Sequence, residues 1–244
     1  MKHEFIYNGL CSTDYGLTIS GEDTWTRPQP DVKRIQVPGR SGDLIQLGHR
    51  YQNVDIVYHC GIVSNLRVNF DAFNARLLSD PGYHRLEDSY HPEYYRQAVF
   101  ESALEPDVKQ RGVVGTVDIR LNCKPQLYFK AGEVEQKVLT GGFLYNPTPY
   151  TSSPLIRFSF TSSGSGGSIT INGRTMSATD IGYTGDFIID CDRQDIYLAE
   201  TKVNFNNFFI LSDGEFFELH PGRNTIAFTG IMGHIFITPN WWTL

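Results

Sequence analysis

The chain of 244 residues is long enough for one or two domains, each burying its own core. With 40% hydrophobic and 20% charged residues it belongs with folded proteins, neither disordered nor fibrous. A formal net charge of −6 gives it no overall attraction to nucleic acid or an anionic membrane surface. Its 23 glycines, 12 prolines and 13% aromatics favour short strands and turns over a helical bundle.

The opening residues Met1-Lys2-His3-Glu4-Phe5 lack the apolar run of a secretory signal. The longest stretch without Asp, Glu, Lys or Arg, 224–244, is broken by Thr229, Gly230, Gly233 and His234, so no membrane span is expected. Cys11, Cys60, Cys123 and Cys191 lie far apart without C-x-x-C spacing and read as reduced thiols of a protein folded in a cytoplasm.

In chain order, Ile35-Gln36-Val37 and Leu44-Ile45-Gln46-Leu47 flank the turn-forming run Pro38-Gly39-Arg40-Ser41-Gly42-Asp43 and predict a hairpin. Val54 to Cys60 is a strand. Leu66, Phe70, Phe73 and Leu77 recur at helical spacing, with Ser64 or Asn65 as a cap and Asp80-Pro81-Gly82 as a stop, so one helix over 65–79 is expected. Val117, Ile119, Leu121 and Cys123 alternate with Asp118, Arg120 and Asn122, the period of a half-buried strand.

Charge density falls along the sequence. Residues 1–140 hold 16 basic and 18 acidic residues; residues 141–244 hold 5 and 9. The change falls at Thr140-Gly141-Gly142, which sets the expected domains as 1–140 and 141–244. The later half reads as all-β. Asn172-Gly173 between Ser168–Ile171 and Arg174–Ser177 is a hairpin signal. Further strands are expected at 155–160, 187–190, 195–198, 215–219, 225–228 and 234–238, a spacing that implies a sandwich.

No constellation carries clear chemistry. Glu87, Asp88, Glu93, His84 and His91 are dense but fit no metal-ligand spacing, and read as ion pairs more readily than as a hydrolase site. Asp190, Asp192 and Asp195 lack the rest of a calcium loop. Gly39-Arg40-Ser41-Gly42 precedes no helix, so it is no phosphate cradle. No G-x-S-x-G elbow occurs. No catalytic residue, metal or cofactor is therefore assigned. Trp241-Trp242 is either a docking platform or, with one indole inward, a lid on the core.

Taken together, several segments resemble the siphophage distal tail proteins. Val37-Pro38-Gly39-Arg40-Ser41-Gly42-Asp43-Leu44 is similar to that family's "VPGRxGDL" hairpin. Leu78 to Leu86, Tyr94-Tyr95-Arg96-Gln97-Ala98, Asn146-Pro147-Thr148, Ser153-Pro154-Leu155-Ile156, Phe187 to Cys191, Leu219 to Asn224 and Trp241-Trp242 follow in the family's order over nearly the whole chain. The resemblance implies a mainly β protein: an N-terminal tail-tube-like sandwich with one helix and a long hairpin, then a galectin-like sandwich. It implies a hexameric ring at the distal end of the tail tube, assembled in the bacterial host's cytoplasm and carried in the virion. Its partners would be further copies of the chain, the major tail tube protein, a tail-tip protein with its tail-associated lysin, and receptor-binding or baseplate proteins. DNA would pass through without specific binding, and no membrane is involved. Within that picture residues 37–44 are the candidate assembly hairpin and Trp241 with Trp242 the candidate docking surface. The alternative is a carbohydrate-binding module contacting the host wall.

Overall fold

A computed structural model describes residues 3–62, 65–109, 113–160, 166–178, 181–183, 185–231 and 233–244. The chain divides into two units: residues 1–127 with 244, and residues 128–243. The division precedes the expected Thr140 by about a dozen residues. The reason is pairing: 136–138 is already a strand of the second unit's sheet, so the compositional shift trails the structural one.

In the first unit the strands are β1 Phe5–Tyr7, β2 Leu10–Cys11, β3 Leu17–Asp23, β4 Pro30–Ile35, β5 Leu44–Tyr51, β6 Val54–Ile62, β7 His84–Asp88, β8 Tyr94–Val99, β9 Asp107–Lys109 and β10 Val114–Phe129, with helix α1 Leu66–Leu77 between β6 and β7. One antiparallel sheet runs β2-β1-β7-β8-β10-β6-β3, with β9 against β10. Val54, Ile56, Tyr58, Cys60 and Ile62 of β6 pair in register with Cys123, Leu121, Ile119, Val117 and Gly115 of β10, so both strands turn their apolar sets to one side. Against that side α1 buries Leu66, Phe73 and Leu77, while Phe70 is only half-buried. Asn65 occupies the N-cap in a left-handed conformation and makes no side-chain cap; Ser64 lies outside the described residues.

The second unit holds β11 Gln136–Val138, β12 Phe143–Asn146, β13 Leu155–Ser159, β14 Gly167–Ile171, β15 Arg174–Ala178, β16 Asp186–Asp190, β17 Asp195–Leu198, β18 Phe209–Leu211, β19 Gly222–Thr229, β20 Ile235–Thr238 and β21 Trp242–Thr243. Two five-stranded sheets, β11-β20-β13-β16-β17 and β12-β19-β14-β15-β18, share one core of alternating inward residues, including Ile156, Phe158, Ile169, Phe187, Ile226 and Ile237. Asn172 (φ 53°) and Gly173 (φ 87°) make the expected hairpin turn between β14 and β15. The expected strand at 215–219 reduces to a single bridge from Leu219 to Ser152.

Candidate assembly surface

β4 and β5 form a two-stranded sheet of their own, so this hairpin lies outside the first unit's large sheet. It is longer than the sequence suggested: 37–43 is all loop, and strands extend back to Pro30 and on to Tyr51. The loop's start has a simple cause. Arg40 N–H donates to Val37 O at 3.2 Å, closing a turn with Pro38 and Gly39 (φ 78°) at its centre, the residues a type II turn requires. At the base, Gln52 N–H donates to Gln29 O at 2.9 Å and Arg50 pairs with Asp31 at 2.6 Å.

Among the described residues the hairpin's apolar side chains are in large part exposed. Ile45 is 66% exposed, Leu47 58%, Leu44 42% and Ile35 39%. Of the eight candidate residues, Val37 is half-buried and Pro38, Gly39, Arg40, Ser41, Gly42, Asp43 and Leu44 are exposed. The apolar run was legible in the sequence; its exposure was not, because a β pattern alone does not say whether a covering layer exists.

The other candidate, Trp241-Trp242, is largely withdrawn from the surface. Trp241 is only 9% exposed, so it offers no docking platform. Trp242 is half-buried, stacks on Tyr150 (centroids 4.6 Å apart, 18° between planes) and donates its indole N–H to Thr151 O at 3.1 Å. Trp25 is instead the exposed indole, at 71%. It borders a polar groove of about 680 Å³ with Asp55, Arg120, Asn53 and Asn122. Sequence reasoning passed over it because it stands alone between polar residues.

The carboxylate cluster resolves into structural bonding. Asp88 accepts from the Tyr58 hydroxyl at 2.8 Å and from the backbone N–H groups of Tyr90 and His91 at 2.9 and 2.7 Å. Burial alone would raise its pKa; the bonds from His91 and Tyr58 outweigh that and hold it below the usual carboxylate range. Burial pushes the Tyr58 hydroxyl well above its ordinary value. Glu87 is bonded to Arg85. Asp190 and Asp195 accept from Arg193 N–H and from Asn204. Among the described residues no group of His, Cys, Asp and Glu is arranged to hold a metal ion, and no helix is long and apolar enough to cross a membrane.

The family-like landmarks of the second unit organise turns. Buried Asn224 accepts from His220 N–H at 2.8 Å and donates to His220 O and Gly222 O, fixing the Pro221-Gly222 turn. Asn146 does the same around Pro147, accepting from Thr148 N–H and donating to Tyr150 O and Leu219 O. Both amides are therefore spent on holding their own turns.

No protein-family model and no curated protein matches the sequence. Solved structures share its fold. The SPP1 Dit protein, gp 19.1, described as a paradigm of the hub adsorption apparatus in phages infecting Gram-positive bacteria, matches with a TM-score of 0.78 over 99% of both chains at 16% identity. Chains of the phage P2 baseplate in its activated conformation match with TM-scores of 0.57 (calcium form) and 0.56 (strontium form), each at 9% identity over 97% and 96% of both chains. The chain thus has the Dit fold, and the resemblance read in its motifs holds at the level of fold from end to end.

Proposed function

We propose that this protein is a structural hub of a phage tail, a ring of six copies joining the tail tube to the tip or baseplate, with DNA crossing its centre. The observation that carries this reading is the Dit fold shared over 99% of both chains. The uncovered β4–β5 hairpin supports it, because an apolar ribbon in water calls for a partner and a closed ring supplies one in every copy. The first unit, with its hairpin, builds the ring; the second, galectin-like unit faces adsorption proteins. The water-facing side of β3, β6 and β10 carries Asp23, Asp55 and Asp118 against Arg120, a balance suited to a wall past which DNA slides without being held. No reaction is assigned to the chain.

The test is assembly. Sedimentation velocity and negative-stain microscopy of the full chain at tens of micromolar should show closed rings. Deleting residues 38–43 should leave a folded, soluble monomer. Rings of unchanged size from the deletion variant, or a full chain that stays monomeric throughout, would overturn the reading.

A further inference from the structure

The turn after β7 holds a polar side chain that is only half satisfied. The His91 side chain is 12% exposed, beside that of Asp88 at 6%. Its Nδ1 lies 3.2 Å from Asp88 Oδ1, whereas its Nε2 is closed to water and has no hydrogen-bond partner among the described residues. The ring set against it is Trp25, edge to face, with centroids 5.5 Å apart and 65° between planes. Trp25 is itself 71% exposed, so burial does not hold it there.

The protons follow from the acceptors. Asp88 accepts from the Tyr58 hydroxyl and from the backbone N–H groups of Tyr90 and His91. An ionised carboxylate can only accept, so His91 Nδ1 carries a hydrogen and donates it. Nε2 is then the atom that gains or loses a proton. A bare lone pair there finds no donor, whereas an N–H on a charged ring finds the electron-rich face of an indole. We propose that His91 is a proton-operated clasp: charged, it is held between Asp88 and the face of Trp25, and neutral, it releases Trp25.

The clasp closes a strap. Residues 24–29 join β3 to β4 without regular structure of their own. At the start of the strap buried Thr24 donates its N–H to Glu22 Oε2 at 2.8 Å, and its carbonyl accepts from Arg96 at 3.5 Å. At its end Gln29 O accepts from Gln52 N–H at 2.9 Å. Between these pins Trp25 reaches across to His91. The strap leads straight into the β4–β5 hairpin, so the charge on His91 sets how firmly the hairpin's root is held.

Charges from several elements act on this turn. Asp88 of β7 touches the imidazole. Glu22 of β3 adds negative charge near Tyr90, whose hydroxyl meets His3 at 3.3 Å. Arg96 of β8 and Arg27 of the strap add positive charge. Tyr58 of β6 stays neutral, because burial pushes its hydroxyl well above the ordinary value. Glu93, on the same turn, is exposed. The two guanidiniums offset Glu22, which leaves Asp88 on one side and the indole on the other to favour the charged ring.

The free full chain tests this and needs no assembly, so its outcome is separate from that of the ring. Trp25→Leu keeps cover over Nε2 but removes the aromatic face, and at so exposed a position circular dichroism should report an unchanged fold. Nuclear magnetic resonance of the His91 Cε1–H follows proton uptake. In Trp25→Leu uptake should need a pH lower by about half a unit or more, a roughly threefold loss of proton affinity. Trp25→Phe, which keeps a ring, should lie closer to the wild type. Imidazoles change charge between about pH 5 and 8. Across that range protection of the Thr26 and Arg27 amides from hydrogen exchange should rise at least threefold on acidification in the wild type, and stay flat in Trp25→Leu. Proton uptake in Trp25→Leu at the wild-type pH or above it overturns the clasp, and so does wild-type protection that ignores pH.

Discussion

Phe73 anchors the only α-helix of the described residues to the first unit, which makes it the place to test the fold's energetics. It is 0% exposed, with Phe5 and Tyr15 edge-on at 6.3 and 5.7 Å between ring centroids. A buried phenylalanine removes roughly 150–250 Å² from water, which at about 25 cal/mol per Å² is about 4–6 kcal/mol. Alanine keeps a small part of that, and the cavity left between helix and sheet relaxes incompletely. Phe73→Ala should therefore cost about 3–5 kcal/mol. Phe70→Ala, one turn earlier and half-buried, should cost less than half as much. Urea unfolding followed by near-ultraviolet circular dichroism measures both, with the dependence on urea unchanged if only native contacts are lost. A loss below about 1 kcal/mol for Phe73→Ala would refute the packing argument.

The helix was legible because Leu66, Phe73 and Leu77 keep a spacing that no strand would need, and its observed bounds fall one or two residues inside the expected ones. The Asn172-Gly173 hairpin was legible because both turn residues take positive φ, which few other pairs tolerate. Expectation and structure part where the cause is not local. Strand β7 looked like a cluster of charges, since His84, Arg85, Glu87 and Asp88 surround Leu86, its one fully buried residue. The unit boundary was misplaced because β11 belongs by pairing to the second unit but by composition to the first. For the candidate assembly surface, the sequence displayed the hairpin's turn and apolar flanks. It did not display their arrangement on two faces, which depends on the register of Val32 with Leu47. Trp241-Trp242 left two readings open in the sequence, a docking platform or one indole inward on the core; Trp241 is buried, as the second requires, and Trp242 is bonded to Thr151 O.

Three further outcomes are expected. His59 Nδ1 lies 2.7 Å from Asp118 Oδ1, and that bond, with Asp23 adding to it, raises the imidazole's pKa above 6.5 against the opposing effect of burial. The stability it contributes is full below about pH 6.5 and lost as pH rises through the raised value. The gap in melting temperature between wild type and His59→Ala should narrow from pH 6 to pH 9, and a gap independent of pH would refute the pairing. Burial pushes the Cys60, Cys123 and Cys191 thiols up to about 12, so a thiol reagent at pH 8 should label at most Cys11 in the native chain and all four in urea; rapid native labelling of the buried three would contradict that. Finally, the chain should not bind saccharides with useful affinity, although its second unit has the sandwich form that lectins also use. Fold does not confer a sugar site; an exposed aromatic platform with converging polar groups does. Trp241 is buried, and Trp242 has one face on Tyr150 and its N–H bonded within the chain. Asn224 of the His220–Asn224 turn directs its side chain into its own turn rather than outward. The exposed indole, Trp25, borders a groove where Asn53, Asn122 and Asp55 already bond to one another or to Tyr83, leaving fewer groups free for hydroxyls. A glycan array probed with the full chain checks this. Micromolar binding to a host-wall saccharide, abolished by Trp25→Ala or Trp242→Ala, would replace the scaffold reading with a carbohydrate-binding one and identify the unit that holds the sugar.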